Sequence, residues 1–485
     1  MGRRSISRIL TGLAEQDPDR VVAVDDHRAL SARELDLASN RLARAYTRLG
    51  VAHDSLVTVS LPNSVEMVVV CAAVWKCGAT PQPVSTGLDA TERRELEALA
   101  RPALVVGSQS QDRAIPWLPA GWSPSSDLSD GLLDDFWAAS WKAPTSSGST
   151  GRPKIVMATG PATLDTAAPV ASFLPLDQVQ LVAGPLTHSA TFTYAFRGLM
   201  TGHRLVILPR FDERLVLRAI SEHGITWALL VPTMMHRILR LPVDELAAAD
   251  LSSLRTVLHL GAPCPPELKR RFLDLVGPER VVEVYAGSES NGILTIRGDE
   301  WLEHPGSVGR SAGGTAVSVR SPSGDEVPTG EVGEIWLRRE GRPAYRYRGG
   351  RSRRTDDGWD TLGDLGRLDG DGYLFVVDRA DDVIVRGGVN VHPTEVERVL
   401  EEHPGVRSAV AFGVADDDLG QRIEAVVDTA GAAVGVTELL RWARARLDSA
   451  RRPSVLHLVD EPVRNDAGKT SRRAEARRWA GGGDA

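Results

Sequence analysis

Residues 204–240 read RLVILPRFDERLVLRAISEHGITWALLVPTMMHRILR, and this stretch decides the fold. The apolar run at 204–208 has the length and branching of a buried strand, and 213–223 then spaces its apolar residues as a helix does. Residues 225–231 return to a strand and 233–240 to a helix. The same alternation occurs upstream at 56–61 and 64–76, and downstream at 256–260, 266–275 and 281–285. Parallel strands need crossover helices, so this rhythm predicts an α/β fold in which several parallel strands share one large sheet.

Past about residue 330 the rhythm shortens into strand-like runs with Gly-Asp turns, GEVGEIWLR and DGDGYLFVVDR, typical of small sheets. A helix at 394–402, strands at 407–414 and 424–428, and a helix at 437–447 then form a compact α+β unit. The expected division is a domain over 1–377, a hinge at 378–382 and a C-terminal domain over 383–485. Residues 107–144, rich in Ser, Pro, Asp and Trp, read as an irregular surface excursion.

A chain of 485 residues exceeds what one core supports, in keeping with that division. Its net charge of −7 gives no diffuse positive field for a polyanion, which argues against nucleic acid. Cys71, Cys77 and Cys264 lack CxxC spacing and fit a reducing cytoplasm. No apolar h-region follows the basic start, and the longest apolar run, 67–75, is too short to span a bilayer, so no membrane anchor is expected.

Four segments carry chemistry. In TSSGSTGRPK, residues 145–154, glycines let backbone amides turn toward an anion, hydroxyls add donors and Lys154 adds charge, a set suited to a polyphosphate. A flexible Ser/Gly linker has the same composition, and the spacing is not that of a Walker A loop. YAGSE, residues 285–289, sits at the end of a predicted strand, where open α/β sheets bind ligands. There Tyr285 suits stacking on a base, Ser288 a phosphate oxygen and Glu289 a magnesium ion; an ordinary strand-end turn is the alternative. In WDTLGDLG, residues 359–366, and the later Asp378 and Arg379, a carboxylate such as Asp364 suits a ribose diol and Arg379 suits the same sugar or its phosphate. Hairpin turns with solvated acids read the same way. NDAGKTSRR, residues 465–473, places Lys469 in a turn, where a lone lysine is usually just solvated.

Together, in this order, these segments resemble the core motifs of the adenylate-forming superfamily of acyl-CoA synthetases, carrier-loading adenylation domains and luciferases. Further matches are PLTH at 185–188, GAP at 261–263, GSVGR at 306–310 and GGVN at 387–390, so the resemblance covers nearly the whole chain. It implies an acetyl-CoA synthetase-like fold: a large N-terminal domain of mixed and parallel sheets with a small β-barrel-like part, and a small mobile α+β C-terminal domain. It assigns pyrophosphate to Ser146, Ser147, Gly148, Ser149, Thr150, Gly151 and Lys154, and adenine to Gly261, Ala262, Pro263 and Tyr285. Ala286, Gly287 and Ser288 would complete the nucleotide turn, Glu289 would hold Mg²⁺, and Asp364 and Arg379 the ribose. Lys469 would act on the carboxylate and α-phosphate. His188 would gate the pantetheine tunnel, and a swing about Asp381 would replace Lys469 with Gly387 and Gly388 as the wall for coenzyme A.

The implied activity is an AMP-forming acid–thiol ligase using ATP, Mg²⁺ and coenzyme A. GPLTHSATFTYAFRGLMTGHRLVILPRFD and DEPVRNDAGK look most like bile-acid-CoA-ligase-type enzymes, which implies a bulky polycyclic or alicyclic acid of steroid or diterpenoid type. Ala286 departs from the usual Tyr-Gly-x-Thr-Glu by a methyl, and Ser288 replaces Thr. Three rivals stay open at this point. The first is thioester formation alone, from an acyl-adenylate made by a partner enzyme. The second is loading of a carrier-protein phosphopantetheine, and the third a non-enzymatic acyl-adenylate-binding protein. The last is disfavoured because Lys154, Glu289, Asp364, Arg379 and Lys469 are all present. A homodimer is left open.

Overall fold

The computed structural model describes residues 2–147, 153–464, 468 and 470–480. The 204–240 stretch folds as read: strand Arg204–Ile207, helix Glu213–His223, strand Trp227–Leu230, helix Pro232–Leu239. Local chemistry sets these limits. Asp212 caps the first helix by accepting from the amides of Arg214 and Leu215, Gly224 closes it in the left-handed region, and Pro232 opens the second helix.

These strands lie in a nine-stranded sheet. Six are parallel, in the order Val281–Tyr285, Thr256–His259, Trp227–Leu230, Val179–Val182, Arg204–Ile207, Val21–Val24. Antiparallel edges, Leu294–Arg297 with Arg310–Ser311 and Ala29–Ser31, finish it on either side. The pair at 56–76 builds a second sheet instead: Leu56–Ser60 lies between Thr80–Pro83 and Leu104–Gly107, all parallel. Helix Val65–Lys76 is buried along nearly its whole length, which explains its uninterrupted apolar run.

Two small antiparallel sheets make up the β-rich part: Thr315–Arg320, Gly333–Arg339, Asp364–Leu368 and Leu374–Arg379 form one, Thr145–Ser147, Pro153–Ala158 and Tyr345–Arg348 the other. The C-terminal unit has its own apolar core, made by strands Ser408–Asp416, Gly420–Asp428 and Val455–Val459 with helices Pro393–Glu401 and Val436–Arg446. Its hairpin Ile384–Arg386/Val389–Val391 turns on Gly387 and Gly388, both at positive φ, as a two-residue turn of this kind demands.

One expectation needs correction. Residues 107–144 are irregular except for strand Trp117–Pro119, but their last part is not a surface excursion. Trp141, Lys142 and Ala143 are buried, and their backbone finds partners there: Ala143 donates to Pro81, Ala158 donates to the Lys142 carbonyl, and the Trp75 indole donates to the Trp141 carbonyl.

The three thiols form no disulfide, and burial raises the pKa of each, that of Cys77 to about 12. Among the described residues, no helix is long and apolar enough to cross a membrane.

Gly309 of the GSVGR segment shows how tightly the small sheets join the large one. Its φ is +94°, and a methyl there would lie 2.0 Å from the Thr295 carbonyl oxygen. Gly309→Ala is expected to cost about 3 kcal/mol from left-handed strain plus overlap. A denaturant midpoint equal to wild type would refute this.

Candidate active site

The sheet's parallel strands end together, and two polar clusters form there. Strand Val281–Tyr285 delivers Tyr285, whose hydroxyl donates to Asp364 Oδ2 at 2.6 Å. Strand register places Asp364 directly opposite Arg379, whose Nε donates to Asp364 Oδ1 at 3.2 Å. The carboxylate is buried while the guanidinium stays 55% exposed, so the pair presents charge to the cleft from a fixed base. Hairpin pairing and ligand chemistry are thus not alternatives here; the hairpin aligns the two groups.

The second cluster centres on Glu289, only 6% exposed. Tyr347 donates to its Oε1 at 2.5 Å, and Lys154 Nζ reaches the same oxygen at 3.3 Å and the Tyr347 hydroxyl at 2.8 Å. Val156 pairs with Tyr347 across the small sheet, so Lys154, two residues earlier, shares the face of the tyrosine and sits 4.1 Å from its ring centroid. Burial and then the Glu289 charge hold the Tyr347 phenol protonated, as a donor. Tyr347 escaped the sequence reading; its strand, Tyr345–Arg348, belongs to none of the four motifs. Tyr347→Phe is expected to raise the KM for MgATP about tenfold, since a hydrogen bond to a charged group is lost. An unchanged KM would remove Tyr347 from the site.

Ser146 and Ser147 lie in strand Thr145–Ser147, paired with Lys154 and Pro153. Gly148, Ser149, Thr150 and Gly151 lie outside the described residues, as does Lys469. The neighbour of Lys469 is informative. A side chain built on Gly468 would meet Thr233 Oγ1 at 3.2 Å and Val231 at 3.8 Å, and one built on Gly261 would meet Val231 at 3.6 Å. Gly468 therefore lies at the strand ends, on the same Val231 side chain that Gly261 faces. Ala286, Gly287 and Ser288 form the turn into Glu289, with Gly287 packed against Leu362. His188 begins helix Ser189–Met200 and makes no side-chain cap bond.

Asp381 is exposed in the short turn Ala380–Asp382. Around it, Asp378 accepts from the Thr394 amide at 3.1 Å and hydroxyl at 2.8 Å, and Arg472 reaches Asp382 at 2.6 Å and both Glu397 oxygens at 2.9 and 3.0 Å. Gly387 and Gly388 are not brought to the strand ends: the neighbour of Gly387 is Leu419, and Gly388 faces open space.

No group of three or more His, Cys, Asp or Glu side chains is placed to hold a metal among the described residues. A single buried carboxylate fits a magnesium ion that arrives with a nucleotide, because that ion keeps water and phosphate oxygens as its other ligands.

The profile of the AMP-binding enzyme family matches residues 11–134 and 143–342, and that of the AMP-binding enzyme C-terminal domain matches 395–469. A feruloyl-CoA synthase of an Amycolatopsis species is 33% identical over 473 residues, covering 93% of this chain and 94% of the relative. A 2-succinylbenzoate–CoA ligase of Bacillus licheniformis is 30% identical over 487 residues, covering 95% and 97%. The crystal structure of ATP-bound MatB from Rhodopseudomonas palustris superposes with a TM-score of 0.81 at 24% identity, covering 98% of this chain and 99% of that one, which establishes the shared fold. With two polar clusters at its strand ends and both family profiles in order, the chain belongs to the AMP-binding enzyme family, the adenylate-forming acyl-CoA synthetases.

Proposed function

We propose that this acid–thiol ligase activates a bulky, largely hydrophobic carboxylic acid of polycyclic or alicyclic type with ATP and transfers the acyl group to coenzyme A. The observation that carries this reading is convergence: Gly468 lies against Val231 and Thr233, beside Gly261, at the same strand ends as the Tyr285–Asp364–Arg379 and Glu289–Tyr347–Lys154 clusters.

In the first half-reaction the acid's carboxylate attacks the α-phosphorus and pyrophosphate leaves. Asp364 and Arg379 hold the ribose, Lys154 and the segment 146–151 hold the departing phosphates, and Lys469 neutralises charge developing on the carboxylate and α-phosphate. Glu289 would hold magnesium, which would supply charge neutralisation on the phosphates. In the second half the thiolate of coenzyme A attacks the acyl carbonyl and AMP leaves. Residues 1–377 and 383–485 then act as separate bodies about Asp381, with His188 at the tunnel and Gly387 and Gly388 along pantetheine. That exchange requires release of the Asp378 contacts to Thr394, which cross the hinge.

The bulky-acid reading rests on the likeness of residues 184–212 and 460–469 to bile-acid-CoA-ligase-type enzymes; a methyl at Gly184 would meet Thr191 at 3.0 Å, so that glycine marks a close-packed position. The relatives are named for different acids, so the pocket is read from this chain's own residues. The test is ATP–pyrophosphate exchange over fatty, aromatic, steroid and diterpenoid acids, with acyl-CoA followed in parallel. Exchange and thioester with a polycyclic acid are expected. Thioester from synthetic acyl-AMP without exchange would overturn the first half.

A further inference from the structure

Among the described residues three lysines are deeply buried, and two of them follow the usual rule. Lys76 is paired with Asp36 at 2.5 Å and with Asn40, and Lys269 is paired with Glu283. Burying an ammonium without a carboxylate is strongly unfavourable, so such pairing is what a structural lysine needs. Lys142 breaks the rule. It is 4% exposed, and its Nζ reaches only two hydroxyls, Thr193 Oγ1 at 2.6 Å and Ser189 Oγ at 3.1 Å. No carboxylate pairs with it among the described residues. Arg197 lies on the same stripe of helix Ser189–Met200, four residues past Thr193. It stacks 4.1 Å over the Trp141 ring, has a buried Nη1 with no hydrogen-bond partner, and also lacks a carboxylate. The Lys142 ammonium is 5.2 Å from the centroid of that same ring. A buried ammonium and a part-buried guanidinium with a buried Nη1 therefore share the Trp141 ring, with no carboxylate bonded to either among the described residues.

The position of this pair connects it to the site. Lys142 precedes strand Thr145–Ser147, the root of the phosphate segment, by three residues, and its hydroxyl partners lie in the first turns of the helix that His188 begins. The Glu289 charge is close enough to act on it.

We propose that Lys142, assisted by Arg197, is an anion-recognising subsite of the acyl pocket, and that the acid this chain prefers carries a second anionic group, a carboxylate or sulfonate, beyond the carboxylate that is activated. This rests on the ligase reading above and narrows its substrate class to an apolar body with a charged far end. The anion supplies the countercharge that the protein omits, and a neutral acid of the same skeleton leaves the cation unpaired and is disfavoured.

Burial, then Arg197, lowers Lys142 to about 7, against a smaller opposing pull from Glu289. The groups facing it are Ser189, Thr193 and Arg197 from the helix and Glu289 from the strand-end turn. Below pH 7 the free enzyme carries the proton and favours the second anion. Above pH 7 the proton is lost and the preference falls, as kcat/KM reports the free enzyme.

The experiment compares dodecanedioic, camphoric and terephthalic acids with their monomethyl esters, following AMP release with coenzyme A at pH 6.5 and pH 8.5, for wild type and Lys142→Met. For at least one skeleton wild type is expected to favour the diacid by about tenfold in kcat/KM at the lower pH, with a smaller ratio at the higher pH. Lys142→Met should bring the ratio to about one while still using the monoester. It should also melt above wild type, because an uncompensated buried charge is replaced by an apolar side chain of similar shape. No diacid preference on any skeleton, a preference that survives Lys142→Met, or a variant that melts below wild type would overturn the proposal. Loss of the ligase reading looks different, as no AMP from any acid or ester. In that event, diacids must still raise the wild-type melting temperature more than their monoesters do, and must fail to do so for Lys142→Met, or the subsite is refuted as well.

Discussion

Lys469→Ala is expected to reduce acid-dependent ATP–pyrophosphate exchange by about 10²- to 10³-fold, the loss seen when one positioned group that stabilises developing charge is removed. Thioester formation from a synthetic acyl-adenylate should stay within a few-fold of wild type. The asymmetry follows from where charge develops: the first half drives a carboxylate onto a phosphorus that already bears negative oxygens, whereas the second half starts from a mixed anhydride. The structure makes the substitution interpretable. The loop is anchored on either side of residue 469 by Arg464 and Arg472, both bonded to Glu397, so the backbone has its supports without the lysine. Equal losses in both halves would point to a damaged loop, and no loss in either would remove Lys469 from the chemistry.

Asp364→Ala is expected to raise the KM for ATP, and the Kd for AMP measured by calorimetry, by about 10²-fold. This carboxylate is the shared acceptor of Tyr285 and Arg379, so alanine removes the proposed ribose partner and also strands a phenol and a guanidinium that it had oriented. Removing one member of a buried, charge-assisted set costs about 3 kcal/mol, which is the stated factor. Asp364→Asn keeps the shape and loses the charge, and should fall between the two. The KM for the acid serves as the control, since the proposed ribose contact does not involve the acyl group. If acid and nucleotide affinities fell together, Asp364 would be holding up the fold rather than the ribose.

The sheet was readable because its signals are local. Asp212, Gly224 and Pro232 punctuate the 204–240 stretch within a few residues of the elements they limit. The order of the strands was not, since adjacency of Val21–Val24 to Arg204–Ile207 is a contact between distant segments. The site divides in the same way. Glu289 and Asp364 stand in short motifs that carry their own meaning. Tyr347 gains its role only when its strand pairs with Pro153–Ala158, almost two hundred residues earlier in the chain. Lys142 was hidden for a further reason. Its segment has the composition of a surface loop, and only packing against Trp75 and helix Ser189–Met200 turns it inward. The Asp364–Arg379 pair lies between these cases, with both residues visible in motifs and the strand register alone making them partners.

Burial keeps all three thiols protonated. With Cys71 buried, Cys77 and Cys264 part-buried and each thiol's pKa raised, the native chain is a slow background for maleimide chemistry at neutral pH. A fluorophore pair can therefore be installed without first stripping the natural cysteines. Leu302→Cys on the large domain and Val389→Cys at the tip of the glycine hairpin are suitable places, since these side chains are 47% and 43% exposed. Energy transfer between them would report, in single molecules and in real time, whether ATP or coenzyme A changes the distance of the hairpin from the large domain.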